Sequence, residues 1–456
     1  MANSSQQSSP VLDRGRRRAR TKVLYSSLAG TTIEWYEFFI YGTAAALVFG
    51  ELFFPQFDKF TSTLLSLSTF AVAFIARPAG AALFGHFGDR IGRKASLVAT
   101  LSIMGVSTFL IGVLPTYDAI GIWAPVILVI LRLLQGLSLG GEYSGAVLMC
   151  VEHAGPRRRG LYGAIVNTGS GLGLILANLV FIASSGASGD GFASWGWRLP
   201  FLASAVLVII ALAIRLRVEE SPEFAAMRSS KELRRMPLVD VLRGHLRPVI
   251  LCAVAYLAAG VTFYMAAVYA LSYIQNQLEL SRNTALAVVL LGFSLIVIGM
   301  PYFGLLSDRY DRKRILQLGA AGMIITPFIW FPLLGTRSFW LMLLGFVVLF
   351  LPFNANYGVM PTFFARVFPT GVRYTGMAVG YTVGTVLSAG VAPVIATYLL
   401  EVAGHWYAIA LYMSASAVLS LLAGVFLIEI KDDQPEYVEV SAPRTQATTQ
   451  PSPTAP

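Results

Sequence analysis

Long apolar runs separated by short polar segments organise almost the entire chain. Twelve runs are long enough to cross a hydrocarbon core of about 30 Å as helices that rise about 1.5 Å per residue. The pattern therefore predicts twelve transmembrane helices, six in each half of the chain. They lie at about 24–50, 61–84, 95–115, 121–150, 160–184, 196–216, 247–275, 284–306, 314–335, 338–362, 374–400 and 406–429.

Polar segments divide these runs into two bundles with a linker and two tails. We predict a basic tail at 1–23, a first six-helix bundle at 24–216, a cytoplasmic linker at 217–246, a second six-helix bundle at 247–430 and a tail at 431–456. Both tails are expected to be disordered because they have little apolar surface to bury. The linker mixes acidic and basic residues, which is typical of a short amphipathic helix on the membrane surface.

One short motif, Gly-x3-Asp-Arg followed by further basic residues, occurs once in each half. The two copies begin at Gly85 and Gly304, about half the chain apart. A basic turn between two apolar helices, repeated in this way, indicates a duplicated membrane protein whose halves are arranged in parallel.

The repeated motif also has a mechanical interpretation. A carboxylate near the start of a helix can accept hydrogen bonds from its free backbone amides, and the arginines can pair with acids of the other half. We therefore predict a cytoplasmic gate that holds the outward-open state, with a simple topology-setting basic loop as the alternative. The candidate gate residues are Gly85, Asp89, Arg90, Gly92, Arg93, Glu142, Asp308 and Arg309.

The composition and the distribution of charge agree with a membrane protein. Of all residues 56% are hydrophobic and 13% are charged, whereas a soluble domain carries about 25% charged residues. The net charge is +10, but nearly all Lys and Arg outside the runs lie in one set of alternate loops, and only Lys59, Arg282 and Arg337 lie in the other set. This bias predicts that both termini are cytoplasmic. It also argues against a nucleic-acid partner, because no basic surface is interleaved with aromatic residues.

The sequence offers no arrangement of residues that supports catalysis. Two cysteines are too few for a disulfide framework or a cysteine metal site. No phosphate-binding loop or nucleophile elbow occurs. We therefore expect no enzyme activity, no catalytic residue, no metal and no cofactor.

A few charged residues lie inside the apolar runs. Such residues are costly in a bilayer and typically face the bundle interior or a water-filled path. The first run carries Glu34 and Glu37, the second carries Arg77 and the fourth carries Arg132. A carboxyl group in a dry site keeps its proton, and a nearby arginine favours its release. We predict that Glu34, Glu37 and Arg132 couple transport to protons, with a permanent ion pair as the alternative.

The second half carries no acid or base away from the ends of its runs and offers amides and phenols instead. These groups are suited to orienting a polar molecule, whereas the arginines of the first half are suited to binding its carboxylate. The candidate substrate-binding residues are Arg77, Arg132, Tyr41, Asn167, Tyr256, Tyr264, Asn354, Asn356 and Tyr357.

Several of these stretches resemble the signatures of one family. The loop from Gly85 to Lys94 is similar to the loop motif of the major facilitator superfamily, and Arg132-x2-Gln135-Gly136 resembles its fourth-helix motif. Five further stretches resemble its metabolite:proton symporter family. They are Thr32-Ile33-Glu34-Trp35-Tyr36-Glu37-Phe38, Ala76-Arg77-Pro78-Ala79-Gly80, Gly140-Gly141-Glu142, Gly196-Trp197-Arg198-Leu199-Pro200-Phe201 and Arg373-Tyr374-Thr375-Gly376.

The resemblance implies an all-α integral membrane protein with the major facilitator fold, twelve helices in two pseudo-symmetric six-helix bundles. It implies a monomeric transporter of the bacterial inner membrane, driven by the proton gradient. Members of the family import citrate, 2-oxoglutarate, shikimate, aromatic acids, or proline and betaine. A stretch beginning at Tyr41-Gly42-Thr43 is similar to the shikimate-permease branch, which favours symport of a small organic acid. Uptake of proline or betaine, drug/proton antiport and a receptor without transport activity are the alternatives.

Three positions depart from the family pattern. Glu37 stands where the family usually has Asp, Asp311 stands in the second loop where the first has Gly92, and Arg366 stands where the family commonly has an acid. The last departure weakens an ion pair between Arg309 and the second bundle. We therefore expect the first loop to be the stronger gate.

Overall fold

The computed structural model of the protein describes residues 10–91, 93–140, 147–148, 150–151, 154, 157–216, 237–369 and 372–430. Across these residues the secondary structure is entirely helical, joined by short turns. The prediction of an all-α fold is therefore confirmed for the described part of the chain.

The first half contains the helices α1 to α8. Their bounds are α1 Pro10–Leu47, α2 Phe49–Phe53, α3 Lys59–Ile91, α4 Arg93–Val113, α5 Tyr117–Ile120, α6 Trp123–Ser138, α7 Arg159–Ser188 and α8 Leu199–Leu216. Two short 3₁₀ turns, Gly189–Phe192 and Gly196–Arg198, join α7 to α8.

The second half contains the helices α9 to α17. Their bounds are α9 Pro237–Gly244, α10 Leu246–Tyr264, α11 Ala270–Asn276, α12 Arg282–Ser307, α13 Arg312–Gly335, α14 Phe339–Phe364, α15 Arg373–Leu387, α16 Ala392–Ala403 and α17 Tyr407–Phe426. A π-helical turn, Met265–Tyr269, joins α10 to α11. A short break separates α15 from α16, so the eleventh predicted run forms two helices.

The apolar runs coincide with these helices. Within the described residues, 8 helical segments are long and apolar enough to cross a membrane, and Val98–Val113, Trp123–Ser138 and Gly196–Ile210 are shorter apolar helices. The remaining run lies in α1 behind a basic N-terminal stretch. Part of the fourth run, 141–146, and most of the linker, 217–236, lie outside the described residues.

The start of α1 differs from the expected disordered tail at 1–23. The helix begins at Pro10 and continues through the basic segment into the first run. Proline is favoured in the first turn of a helix, and the Arg, Lys, Ala and Leu residues that follow have high helix propensity. Continuity with an apolar helix therefore extends the helix into residues that hydropathy alone assigns to a tail.

Contacts between the two halves form along two seams. Helix α7 of the first half packs on α12 and α14 of the second half, and α3 packs on α15 and α16. The described part of the linker, α9, packs on α15 with Val241 buried and Arg243 exposed. The centre of the molecule lies between these seams, where α1, α3, α6 and α10 contribute buried polar groups.

Candidate functional site

A close crossing of α3 and α6 fixes the two arginines of the centre. A Cβ atom at Gly80 would overlap the carbonyl oxygen of Leu137, and a Cβ atom at Gly136 would overlap that of Ala73. Such close approach requires glycine at both positions. The crossing holds Arg77 of α3 and Arg132 of α6 next to each other in the bundle interior.

Arg132 is buried among aromatic rings. Its guanidinium carbon lies 4.4 Å from the centroid of the Phe38 ring, 4.1 Å from that of Tyr41 and 4.9 Å from that of Phe70. Its Nη1 donates to Oε1 of Gln135 at 2.9 Å, whereas Nε and Nη2 have no hydrogen-bond partner. Cation–π contacts offset only part of the cost of burying this charge. Arg132 therefore retains donors that an anion could use.

Arg77 lies close to the same ring. Its guanidinium carbon is 4.8 Å from the centroid of Phe38 and 4.3 Å from that of Phe74. It is also within electrostatic reach of Tyr264 and Tyr381 in the second half. Phe38 therefore contacts both guanidinium groups.

Tyr264, at the end of α10, packs on the aromatic residues of the first half. Its ring centroid is 6.2 Å from that of Phe38, 5.7 Å from that of Phe70 and 5.4 Å from that of Phe74. The π-helical turn follows directly after Tyr264, and π turns often occur at functional sites. The predicted residues Arg77, Arg132 and Tyr264 thus meet at one place.

The two glutamates of α1 have different surroundings. Glu37 is fully buried, and neither of its carboxylate oxygens has a hydrogen-bond partner. The Thr108 side chain lies beside it, but the Thr108 hydroxyl donates to the carbonyl oxygen of Met104 at 2.8 Å. Glu34 is half-buried and lies within electrostatic reach of Tyr381. Within the described residues Glu37 has no ion pair with Arg77 or Arg132, and the choice between proton coupling and a permanent ion pair stays a prediction.

A tyrosine cluster forms the part of the site that belongs to the second half. The ring centroid of Tyr256 is 4.8 Å from that of Tyr381 and 6.0 Å from that of Tyr357. Asn167 of α7 donates from Nδ2 to the carbonyl oxygen of Tyr357 at 3.2 Å. The hydroxyl of Tyr41 donates to Thr69 Oγ1 at 2.6 Å. Tyr256, Tyr357 and Asn167 therefore meet where the two halves join, whereas the Tyr41 hydroxyl is bound inside the first half.

The predicted substrate residues Asn354 and Asn356 lie in contacts between neighbouring helices. Nδ2 of Asn354 donates to the carbonyl oxygen of Leu295 at 3.2 Å, and Nδ2 of Asn356 donates to that of Leu316 at 2.9 Å. Each asparagine also packs on a glycine of the neighbouring helix, Gly299 or Gly319. Their Nδ2 groups join α14 to α12 and α13, whereas both Oδ1 atoms are buried without a hydrogen-bond partner within the described residues.

Asp308 of the second motif caps a helix of the other half. Its Oδ1 accepts from the backbone N–H of Gly160 at 2.7 Å, and its Oδ2 accepts from that of Leu161 at 3.1 Å. Both donors lie in the first turn of α7, where free amides favour a carboxylate. Nη2 of Arg312 lies 4.0 Å from the same Oδ1. A Cβ atom at Gly160 would overlap Gly304 and Ser307, so glycine permits this contact.

The other predicted gate residues divide into two groups. Arg309 is exposed. The described residues do not include Gly92 or Glu142. Only the backbone is described for Gly85, Asp89, Arg90 and Arg93. The relative strength of the two loops therefore stays a prediction. Within the described residues, the hydrogen bonds from a motif side chain to the other half are those of Asp308, in the second loop.

Glu429 supplies an acid near the position where Arg366 departs from the family pattern. It lies within electrostatic reach of Arg312 and Arg366. The backbone N–H of Ile430 donates to the carbonyl oxygen of Arg366 at 2.8 Å, which holds this segment next to the end of α14. The sequence pattern does not single out Glu429, because it is the final residue of the last predicted run (406–429) and has no counterpart in the repeated motif.

Removal of the Asp308 cap should open the cytoplasmic side. We expect Asp308→Ala to cost about 1 kcal/mol of contact between the halves, which shifts the ratio of closed to open states by about fivefold. Spin labels at Arg157→Cys and Tyr310→Cys, both on exposed residues, report the distance by pulsed electron resonance. Asp311→Ala is the matched control, since Asp311 caps α13 within its own half. An unchanged distance distribution in Asp308→Ala contradicts the gate.

A second contact between the halves lies at the opposite end of α7. Nη1 of Arg282, at the start of α12, donates to Ser185 Oγ at 3.4 Å. Its guanidinium carbon lies 4.0 Å from the centroid of the Phe192 ring, and Glu51 is within electrostatic reach. Arg282 is one of the few basic residues predicted on the outer face, so its position there has a structural explanation.

Arg282→Ala should loosen the contact between the two halves at the predicted outer side. Loss of one hydrogen bond and one cation–π contact should cost about 1–2 kcal/mol and favour the outward-open state. Labels at Asp190→Cys and Thr336→Cys, exposed residues of the two halves, measure the outer separation. Lys59→Ala, which removes an exposed basic residue of the same face, should leave it unchanged. If both variants move the distance equally, Arg282 has no specific role.

Comparison with known proteins gives a consistent family. A family model described as the Major Facilitator Superfamily matches residues 27–389. The "Inner membrane metabolite transport protein YhjE" of Escherichia coli (strain K12) is 43% identical over 89% of this chain and 93% of its own length. The "Shikimate transporter" of the same organism is 37% identical over 91% of this chain and 95% of its own.

Another relative has a different kind of substrate in its name. The "Glycine betaine/proline/ectoine/pipecolic acid transporter OusA" of Dickeya dadantii (strain 3937) is 35% identical over 92% of this chain and 85% of its own length. The family assignment is therefore secure, whereas the relatives' names do not agree on one substrate.

Solved structures share the fold at low sequence identity. A crystal structure of a D-xylose-proton symporter superposes with a TM-score of 0.66 at 20% identity, covering 89% of this chain and 96% of the other. A partially occluded, inward-open form of the xylose transporter XylE from E. coli gives 0.70 at 16% identity, covering 91% and 99%. These matches confirm the predicted fold.

Proposed function

Because the chain belongs to the major facilitator superfamily, we propose that it imports a small organic acid together with protons by alternating access. The comparisons establish that the protein is a multi-pass membrane transporter of small molecules and not an enzyme. The nature of the substrate and the use of protons belong to the proposal.

The observation that supports an acidic substrate is the pair of arginines around Phe38. Arg132 is buried, and within the described residues two of its guanidinium nitrogens have no partner and no carboxylate lies against it. A guanidinium group binds a carboxylate through two parallel hydrogen bonds, and such a pair is strongest in a dry site. A substrate carboxylate would therefore complete the hydrogen bonding of Arg132, with Arg77 available to a second anionic or polar group.

The aromatic side chains around the arginines favour a substrate with a compact apolar or ring-shaped body. Phe70, Phe74 and Tyr264 surround the guanidinium groups, and Tyr256, Tyr357 and Tyr381 carry hydroxyl groups at the junction of the halves. Such a combination suits a hydroxylated ring acid. This substrate class agrees with the name of one relative, "Shikimate transporter".

A zwitterionic solute is the second candidate. Betaine and proline also carry a carboxylate that Arg132 could bind, and aromatic faces attract quaternary ammonium groups. The relative OusA supports this alternative through its printed substrates. The guanidinium nitrogens of Arg132 that have no partner within the described residues make an acid the first candidate.

In this proposal Glu37 and Glu34 carry the coupled proton, and no cofactor takes part. Asp308 and Arg282 hold the two ends of the transporter closed in turn. Both termini lie in the cytoplasm of a bacterial cell with the protein in its inner membrane, and a single chain is the transporting unit.

A ligand screen of the purified protein distinguishes the two candidates. Thermal unfolding in detergent is measured with shikimate, citrate, 2-oxoglutarate, benzoate, proline and betaine at equal concentrations. Binding raises the unfolding temperature by mass action. We expect stabilisation by at least one of the acids and not by betaine. Stabilisation by betaine or proline alone would overturn the organic-acid proposal.

A further inference from the structure

Two hydrogen bonds lead from the arginine of the substrate site to a hydroxyl that lies beside the buried glutamate. Arg132 Nη1 donates to Gln135 Oε1 at 2.9 Å. Gln135 Nε2 donates to Thr108 Oγ1 at 2.8 Å. Thr108 lies beside the Glu37 carboxylate. All four side chains are fully buried, and they come from three helices, α1, α4 and α6.

Neither Thr108 nor Gln135 has a role in the site described so far. Both are polar groups buried in a membrane helix bundle, where an unmade hydrogen bond is costly. An apolar side chain would avoid that cost if packing were the only requirement. Their bonds are made to each other and to Arg132, so they form one connected unit between two charged groups.

We propose that Thr108 and Gln135 are positioning residues that transmit the protonation state of Glu37 to Arg132. The inference rests on the proposed proton-coupled function, since it assigns the path by which proton binding changes substrate binding. It adds two residues that are buried from solvent and that act through the charged groups on either side of them, Glu37 and Arg132.

The mechanism depends on whether Glu37 carries a proton that it can donate. With its proton, Glu37 can donate to Thr108 Oγ1, which leaves the Thr108 hydroxyl free to donate to Met104 as observed. Without its proton, Glu37 can only accept. Within the described residues no group donates to either carboxylate oxygen, so the Thr108 hydroxyl then turns from Met104 to Glu37. A hydroxyl that turns also redirects the lone pairs to which Gln135 donates.

Gln135 carries this change to the guanidinium group. The Gln135 amide donates to Thr108 through Nε2 and accepts from Arg132 through Oε1. When Nε2 moves to follow the lone pairs of Thr108, Oε1 moves with it. Arg132 then gains or loses a partner for Nη1. The free guanidinium donors that a substrate carboxylate would use therefore depend on whether Glu37 is protonated.

Transport in proteoliposomes tests the path with two readouts. Uptake of radiolabelled shikimate, or of the acid that the ligand screen selects, is measured with an imposed pH gradient and, separately, as exchange against the same compound inside the vesicles. Exchange does not require net proton movement. Thr108→Val keeps the shape of the side chain and removes the hydroxyl, and Gln135→Met removes the amide while keeping the length.

Both variants should lose gradient-driven uptake about tenfold more than they lose exchange, since coupling energies between sites span about 5- to 150-fold. Thr108→Ser, which restores the hydroxyl, should recover gradient-driven uptake. Ser102→Ala is the control, because Ser102 donates only to the carbonyl oxygen of Val98 in the same helix α4. It should leave both rates unchanged.

Three results would overturn the inference. The first is equal loss of both rates in Thr108→Val and Gln135→Met, which indicates a structural role alone. The second is full gradient-driven uptake in both variants. The third is a wild-type protein whose uptake does not respond to the pH gradient, and this result also overturns the proposed function. The first two leave the proposed function intact, so the two failures are distinguishable.

Discussion

Glu37→Gln should exchange its substrate across a membrane but should no longer accumulate it against a gradient. The amide has the size of the acid and can make the same contact with Thr108, but it cannot bind and release a proton. Glu37 is fully buried and has no hydrogen-bond partner within the described residues, so the substitution removes a proton site without breaking an observed bond. Uptake driven by a pH gradient should fall to the level of empty vesicles.

The measurement compares gradient-driven uptake with exchange in the same vesicles. Glu34→Gln is the informative second variant, since Glu34 is half-buried and lies on the same face of α1. Glu401→Gln, at an exposed acid outside the predicted spans, is the control and should retain both activities. If Glu34→Gln and Glu37→Gln both keep gradient-driven uptake, neither residue couples transport to protons.

Arg132→Lys should weaken substrate binding strongly although the positive charge remains. An ammonium group cannot make two parallel bonds to a carboxylate, cannot stack on Phe38 and Tyr41 in the same way, and places its charge differently. The loss of a charge-assisted hydrogen bond should cost about 2 kcal/mol, roughly thirtyfold in affinity. Isothermal calorimetry with the selected acid measures the affinity directly.

Arg198→Lys provides the matched control for this substitution. Nη1 of Arg198 donates to the carbonyl oxygens of Gly112 and Leu114, at 3.0 and 2.6 Å, and its guanidinium carbon lies 4.4 Å from the centroid of Trp197. It is therefore also a stacked arginine, but one bound to backbone at the end of the first bundle. Its replacement should lower the thermal stability and leave the affinity unchanged. Equal affinities for wild type and Arg132→Lys would exclude Arg132 from the substrate site.

The helices could be predicted from the sequence because the bilayer imposes their length. Apolar runs of the required length form helices, since every backbone amide must be satisfied within the segment. The central charges were predictable for the same reason, as Glu37, Arg77 and Arg132 are expensive in a membrane and are placed inward. Their burial at the junction of α1, α3 and α6 agrees with that expectation.

The roles of neutral polar residues could not be predicted in the same way. Asn354 and Tyr357 are three residues apart in one run, yet the Asn354 amide bonds Leu295 within its own half while the Tyr357 carbonyl accepts from Asn167 of the other half. A neutral side chain can satisfy itself on a neighbouring backbone or face a ligand. Hydropathy does not distinguish these outcomes, because they depend on how the helices rotate against each other.

Contacts between distant segments were also beyond the sequence pattern. The motif predicts that Asp308 seeks free helix amides, but it does not identify α7 of the other half as their source. Thr108 and Gln135 become meaningful only when α4 and α6 bring them together. Gln135 does have a sequence signal, three residues after Arg132 on the same helix face, whereas Thr108 has none.

Direct recording of proton movement tests the central claim that this protein couples an acid to protons. Purified protein is reconstituted into vesicles that contain a pH-sensitive dye, without an imposed gradient, and the selected organic acid is added outside. We expect acidification of the vesicle interior that requires the organic acid, saturates with the concentration of that acid and is absent in Glu37→Gln. Uptake of the labelled acid with no accompanying proton movement in the wild-type protein would contradict it.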